Sequence, residues 1–313
     1  MSIASDGAPQ GVPDGSAAPG RPAEIESASN RVVIHPLSRA LASALARTPV
    51  TPNQVSVASV GVSGAAAWCY LTLAWPWNAI AGFALQILWH VLDGADGDLA
   101  RRTGRASPVG ELVDGVCDHL SQVLVYVALA LMAQRSIGSW AWAWAWAWAW
   151  ALAVAAGAAH FIQANAYETG RKAYRHFVYG AAWMRQTGAG NSGAGAALAR
   201  FYLAVSSWMS PGEEDAERAM QGADGHARVL YRDRFAPLVK ASGLLSSNAR
   251  TLAAFAAVLV KWPAGFFVFE LTVLNLALAV FTVWRARANA QLVQALLAPE
   301  AVQPEAQAAA EPN

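Results

Sequence analysis

Six stretches of this chain run for roughly 17 to 25 residues with almost no charge, the length a helix needs to cross about 30 Å of hydrocarbon. Their approximate limits are 54–75, 77–98, 108–133, 139–165, 246–262 and 264–284. In lipid no water satisfies the backbone amides, so spans of this kind must be helical. The predicted fold class is therefore all-α and integral to a membrane, a six-transmembrane helix bundle. Composition agrees: 14% of the 313 residues are charged, against about 25% in a soluble domain. The fifth stretch is short, because Lys261, Trp262 and Pro263 divide it from the sixth by a tight turn, and Pro263 ends or kinks a helix.

The segment "WAWAWAWAWAW" at residues 140–150 has the period of a strand. The lipid argument overrides that period and predicts a helix, with the tryptophans at the outer interface where they are favoured. Ahead of the first span, residues 31–50 set Val33, Leu37, Leu41 and Leu45 four apart, with Arg31, Arg39 and Arg47 elsewhere on the wheel. That pattern predicts an interfacial amphipathic helix. Residues 1–30 and 291–313 are rich in small and polar residues and are expected to be tails, the first disordered and without the pattern of a signal peptide.

Basic residues gather on alternate connections: Arg101, Arg102 and Arg105 between spans two and three, a long basic loop at 169–245, and Arg285 with Arg287 after span six. The positive-inside rule then predicts a multi-pass protein of the cell membrane with both termini cytoplasmic. Residues 169–245 are expected to be largely a solvated cytoplasmic insertion, with a flexible glycine-rich centre at 188–197 and further helices in its later part. A net charge of +1 without a long basic run excludes a nucleic-acid partner. Cys69 and Cys117 lie in apolar runs and imply no disulfide framework.

The chemistry concentrates in "DGADGDLARRTGRASPVGELVDGVCD", residues 93–118. Asp93 and Asp96 stand three apart at the end of one predicted helix, and Asp114 and Asp118 four apart near the start of the next, so each pair shares a helix face. A short basic turn brings the faces together, and the four carboxylates need positive charge between them. Hard divalent cations meet that need, and Mg2+ is commonly shared between carboxylates and substrate phosphates. Two ions would suit a pyrophosphate undergoing in-line displacement. Gly94 and Gly97 clear space for a phosphate backbone, and Gly110 and Gly115 would allow close helix packing. Arg101, Arg102 and Arg105 are phosphate-binding candidates as well as positive-inside anchors.

Asp93, Asp96, Gly97, Ala100, Arg101, Gly110, Asp114 and Asp118 spell D-x2-D-G-x2-A-R-x8-G-x3-D-x3-D. In this the chain resembles the CDP-alcohol phosphatidyltransferase family, and "TPNQVS" at residues 51–56 resembles that family's entry into its first span. The resemblance implies six spans, an interfacial helix and a cytoplasm-facing site in a homodimer. It implies Mg2+ or Mn2+, as two ions, held by Asp93, Asp96, Asp114 and Asp118, with Asp118 also the general base. Gly97, Ala100 and Arg101 would line the CDP site, joined by Gly94 on steric grounds. The substrates implied are a CDP-alcohol, CDP-diacylglycerol first, and an alcohol acceptor, with CMP released. A sibling reading uses CDP-choline or CDP-ethanolamine as donor and a lipid alcohol as acceptor.

Residues expected around the acceptor are Arg105, Asn248 and Arg250, with His160, Gln163, Asn165 and Glu168 near the end of the fourth span. His90, one turn before Asp93, is a candidate support for a metal ligand, and the basic patch of Arg171, Lys172, Arg175 and His176 a candidate anion site. A competing class is a divalent-cation or nucleotide transporter, since acids within spans also mark ion paths. Against it, Glu270 is the only acid in the last three spans short of their ends, where a transport path needs several near the midplane.

Overall fold

A computed structural model describes residues 22–136, 142–181, 210–222 and 224–297, and among these every regular element is helical. The chain divides into two compact units, the larger comprising residues 21–168 and 239–280, the smaller built around residues 169–238 and 281–313. In the larger unit a π-helical turn, Asn30–Ile34, leads into α1, His35–Leu45. Next come α2, Pro52–Thr72, α3, Trp77–Arg102, and α4, Pro108–Arg135. The helix α5 covers Trp142–Tyr179. After the two helices of the smaller unit, α6 at Glu213–Met220 and α7 at Gly225–Ala241, the chain forms α8, Ser247–Leu259. It ends with α9, Ala264–Phe269, a π-helical segment, Glu270–Leu274, and α10, Asn275–Leu297.

Among the described residues, four helical stretches are long and apolar enough to cross a membrane: Pro52–Thr72, Val109–Arg135, Trp146–Tyr179 and Ala264–Leu297. The chain is a multi-pass membrane protein. The expected second and fifth spans do form helices, α3 and α8, but neither is in this set. In α3 the polar residues Asn78, Gln86, His90 and the aspartates dilute the apolar stretch. The 13 residues of α8 reach only about 20 Å.

Local chemistry explains where the helices begin. The Thr51 side chain accepts from the Gln54 amide, and Gln54 Oε1 accepts from the Thr51 amide at 2.9 Å, a full capping box with Pro52 in the first turn. Ser107 caps α4 through the Gly110 amide at 3.0 Å. The helix α2 then packs on both α3 and α4, with α1 lying on α3. Gly82 makes the α2–α3 approach: a Cβ there would collide with the ring of Tyr70, which is 1% exposed. The apolar core joins Tyr70 and Ala79 to Tyr126, Leu129, Phe266 and Phe267.

On α1, small residues face the bundle. Ser38 and Ala42 are buried, with Ser38 donating to the Val91 carbonyl at 3.0 Å, while Val33 and Leu37 stay exposed. Leu41 and Leu45, expected on the same face as those two, pack partly against Ala95 and Leu99 of α3. The alternating Trp-Ala segment is helical from Trp142 onward, and Trp146 and Trp148 are exposed. Residues 139–141 lie outside the described residues.

Residues 169–245 form helices in their later part, as expected, and depart from a solvated loop at their start. Where described they are mostly helix: α5 continues to Tyr179, and α6 and α7 follow. The cause is a set of apolar residues at helical spacing, Tyr174 with Phe177 and Val178, and Tyr231 with Phe235 and Leu238, all buried in the smaller unit. Tyr231 stacks on Phe235 at 4.2 Å, and its burial, with Glu213 nearby, pushes its phenol above the ordinary tyrosine range. In the same unit Arg285 is bonded to Ser210 at 3.4 Å. The expected glycine-rich centre at 188–197 lies outside the described residues.

The tails are shorter than expected where they are described. Ile25 and Glu26 are buried at 2% and 5% exposure, and α10 runs on past residue 290 with Leu292 buried. Residues 1–21 and 298–313 lie outside the described residues.

Candidate active site

The acidic motif folds as two helix ends and the turn between them. α3 carries Asp93 and Asp96, α4 carries Asp114 and Asp118, and residues 103–107 connect them, with Gly104 at φ 65° closing the turn. That left-handed conformation suits glycine. Asp93, Asp114 and Asp118 each offer one carboxylate oxygen, and the three oxygens lie within 4.8 Å of one another. Asp96 joins through Asp114, with which it shares a side-chain hydrogen bond, as Asp93 does with Asp118. Carboxylates this close need a proton or a cation between them.

The donor set fits a divalent metal. Four carboxylates on two rigid helices offer only hard oxygen donors, the preference of Mg2+ and Mn2+. The oxygens on one Mg2+ are at most about 4.2 Å apart, close to the spacing found. Asp96 is 4% exposed and accepts a 2.6 Å hydrogen bond from Ser56 Oγ of α2. Ser56 thereby fixes the Asp96 carboxylate, a contact not foreseen from the sequence although Ser56 closes the "TPNQVS" segment.

Arg101 is exposed and forms an ion pair with Asp98 in the next turn down. A Cβ on Gly97 would stand 3.4 Å from Arg101 Nη1, an ordinary van der Waals contact. Gly94 is buried and Ala100 half-buried along the same helix. At Gly110 a Cβ would meet Ser107 Oγ at 3.3 Å, so the helix start is tight there, whereas Gly115 faces open space. Close packing therefore does not explain Gly115.

Beside the acids, a cavity of about 500 Å3 opens between α4, α5 and the start of α8. Asp118 belongs both to the acid cluster and to the cavity wall. The remainder of the wall is mainly apolar, with Trp89, Val123, Val127, Trp150, Val154 and Phe161. His119, Gln122, His160, Glu168 and Arg250 bring polar groups to it.

Arg250 is 2% exposed, and each of its three nitrogens donates a hydrogen bond. Its Nε donates to Glu270 Oε1 at 2.8 Å, Nη2 to Gln163 Oε1 at 2.6 Å, and Nη1 to the Leu245 carbonyl. Glu270, 0% exposed in the π-helical segment, also receives the Tyr126 hydroxyl at 2.9 Å. Tyr126 in turn meets His160 Nδ1 at 2.9 Å. Gln163 completes the frame by donating to Asn275 Oδ1 at 2.8 Å.

Of Arg105, Asn248 and Arg250, the structure brings only Arg250 to the cavity. Asn248 turns to the N-terminal segment, donating to Ser29 Oγ at 3.3 Å, and Arg105 is exposed on the connecting turn. His90 bonds Thr251 Oγ1 at 2.9 Å rather than a carboxylate of the cluster. His160 and Glu168 line the cavity, while Gln163 supports it from behind. Tyr126 and Glu270 escaped functional assignment, although a lone acid in an apolar span always needs a partner.

The sequence model of the CDP-alcohol phosphatidyltransferase family matches residues 49–207. An archaetidylinositol phosphate synthase of Aeropyrum pernix is 36% identical over 91 residues, 28% of this chain and 44% of that protein. A CDP-alcohol phosphatidyltransferase class-I family protein of Dictyostelium discoideum is 37% identical over 73 residues, 23% of this chain and 15% of its own length. Cholinephosphotransferase 1 of Gallus gallus is 45% identical over 49 residues, 16% of this chain and 15% of its own. The chain thus spans less than half the length of these curated relatives.

Proposed function

Because the chain belongs to the CDP-alcohol phosphatidyltransferase family, we propose that it transfers a substituted phosphate from a CDP-alcohol to the hydroxyl of an alcohol acceptor and releases CMP. The observation that carries this reading is the double position of Asp118, in the acid cluster and on the wall of the adjoining cavity. A carboxylate there can take a proton from an acceptor hydroxyl as it attacks.

Asp118 accepts the hydroxyl proton, the acceptor oxygen forms its bond to the β-phosphorus, and the bond from that phosphorus to the CMP oxygen breaks. No covalent enzyme intermediate is needed. Asp93, Asp96, Asp114 and Asp118 would hold two ions, Mg2+ or Mn2+, which when bound neutralise the pyrophosphate and the departing phosphate. Ser56 keeps Asp96 oriented. Gly94, Gly97 and Ala100 leave one side of α3 open to the CDP group, and Arg101 exchanges Asp98 for phosphate. In the membrane the reading has six spans, with α3 and α8 among them, the interfacial α1, and both termini and the site cytoplasmic. A homodimer belongs to the same reading.

CDP-diacylglycerol is the first donor to test. The mainly apolar wall beside Asp118 favours a second reading, in which CDP-choline or CDP-ethanolamine is the donor and a lipid alcohol the acceptor. The experiment is CMP release by purified protein in detergent, with Mg2+ or Mn2+, from each donor against a panel of alcohols. Metal-dependent CMP release from one pairing supports the reaction. No CMP from any pairing, together with metal uptake into protein-containing liposomes without nucleotide, would replace the transferase by a transporter.

A further inference from the structure

Arg250 and Thr251 are consecutive residues of α8 and tie it in two directions. Arg250 reaches Gln163 of α5 and Glu270. Thr251, 4% exposed, meets α3: its hydroxyl donates to Gln86 Oε1 at 3.0 Å and lies 2.9 Å from His90 Nε2. A threonine hydroxyl has one proton. With that proton given to Gln86, the oxygen can only accept from His90, so Nε2 of the ring carries the hydrogen and donates it. The three side chains form one directed chain, His90 to Thr251 to Gln86, with Gln86 and His90 buried at 3% and 6% exposure.

This chain joins two parts of the site. His90 stands one turn before Asp93 on α3, and its neighbour Trp89 belongs to the cavity wall. On the other side, Arg250 and the rim before it, Leu245, Ser246 and Ser247, form a further part of that wall. Among the described residues, Thr251 makes the only side-chain hydrogen bonds between α8 and a helix that carries the acids.

The short helix α8, 13 residues preceded by a 3-10 turn at Ser242–Leu245, depends on such ties for its register. Apolar contact is non-directional and leaves a helix free to slide. Hydrogen bonds are directional and hold their partners within a narrow range of distance. Two of them meeting at one hydroxyl fix α8 at a single height along α3.

We infer that Thr251, with His90 and Gln86, sets the register of α8 against α3 and so holds the acceptor side of the cavity at the distance from the acid cluster that attack requires. Thr251 is a positioning residue that acts through Arg250 and the rim before it. The inference rests on the proposed transfer for its effect on turnover, while the register itself is measured without any reaction.

The register is read by spin labels on exposed positions of the two helices, Leu88→Cys in α3 and Leu252→Cys in α8, in the full chain with Cys69→Ser and Cys117→Ser. The labels are expected to report one narrow separation. Thr251→Ser, which retains the hydroxyl, keeps it, and Thr251→Val, which removes the hydroxyl at similar volume, broadens it. Turnover is measured with the native cysteines and counted per molecule that binds Mn2+, so that misfolded protein drops out. Thr251→Val is expected to lower kcat/KM for the acceptor about 10- to 100-fold, the scale of a displacement of about 1 Å, with donor KM and Mn2+ affinity unmoved. His90→Gln sets an amide donor near the place of Nε2 and keeps most of the activity, whereas the shorter His90→Asn behaves like Thr251→Val. A role in stability alone would lower the melting temperature and leave the rate per metal-binding molecule as it was.

A narrow label separation in Thr251→Val with unchanged turnover overturns the inference. So does a loss that Thr251→Ser and His90→Gln share, because the hydrogen bonds would not be its cause. A change in Mn2+ affinity or donor KM also overturns it, by giving the chain to the acid cluster instead. Where Thr251→Val fails to fold, His90→Asn carries both readouts. Broadening as expected, in a chain whose parent releases no CMP from any CDP-alcohol, supports the register and defeats the transferase reading separately.

Discussion

Asp96 shows how much a single contact can matter to a site of like charges. It is the most buried carboxylate of the motif, and Ser56 is its fixed donor at 2.6 Å. Groups that orient metal ligands typically influence affinity by about 10- to 100-fold. Ser56→Ala is therefore expected to weaken Mn2+ binding by about tenfold, measured by titration of the purified protein, with little change in melting temperature in the absence of metal. Unchanged Mn2+ affinity would remove Ser56 from the site. The four aspartates of the motif were legible in the sequence because helix periodicity and one short turn suffice to bring them together. Ser56 was not, since its 40-residue separation from Asp96 is bridged only by the packing of α2 on α3. Asp98, which the motif passes over, pairs with Arg101. That pairing leaves the arginine outside the cluster.

The α2–α3 contact is an element-scale feature that hydropathy alone does not convey. α3 presents Gly82 to Tyr70 so closely that no Cβ fits, and in lipid such close approach of backbones substitutes for a hydrophobic driving force. Gly82→Leu should force Tyr70 from its place and destabilise the bundle by about 1–3 kcal/mol or more. Thermal unfolding in detergent measures it, and a melting temperature equal to that of the parent would contradict the packing described. The helical character of all spans was legible, since lipid admits little else. The reach of α5 to Tyr179 and of α10 to Leu297 was not, because charged residues there resemble the end of a span. Buried Tyr174 and Phe177, and Leu292 further on, continue each helix where hydropathy alone would stop it.

At the scale of the larger unit, one polar network ties four helices together. Arg250 of α8 and Glu270 beyond α9 form an ion pair with 2% and 0% exposed side chains, extended by Gln163 of α5 and Tyr126 of α4. Removing one partner of a buried pair leaves a charge without compensation, at a cost of about 3–5 kcal/mol. Glu270→Gln keeps the shape and removes the charge, so a large fall in melting temperature is expected. A fall of only a degree or two would mean that shape, not charge, holds the network. None of these pairings could be read from the sequence, where their members lie up to 144 residues apart. What could be read was the need: a glutamate in an apolar span, and an arginine at the start of another.

The site, the cavity and their frame converge on Asp118. The most direct measurement of the central claim is Mg2+-dependent CMP release from CDP-alcohols by the purified chain and by its Asp118→Asn variant, with matching melting temperatures establishing that both are folded. The expected result is CMP release by the parent that chelation abolishes, and a loss of roughly 100-fold or more in the variant, the scale of a positioned general base. Full activity in Asp118→Asn, or turnover indifferent to divalent metal, would contradict it.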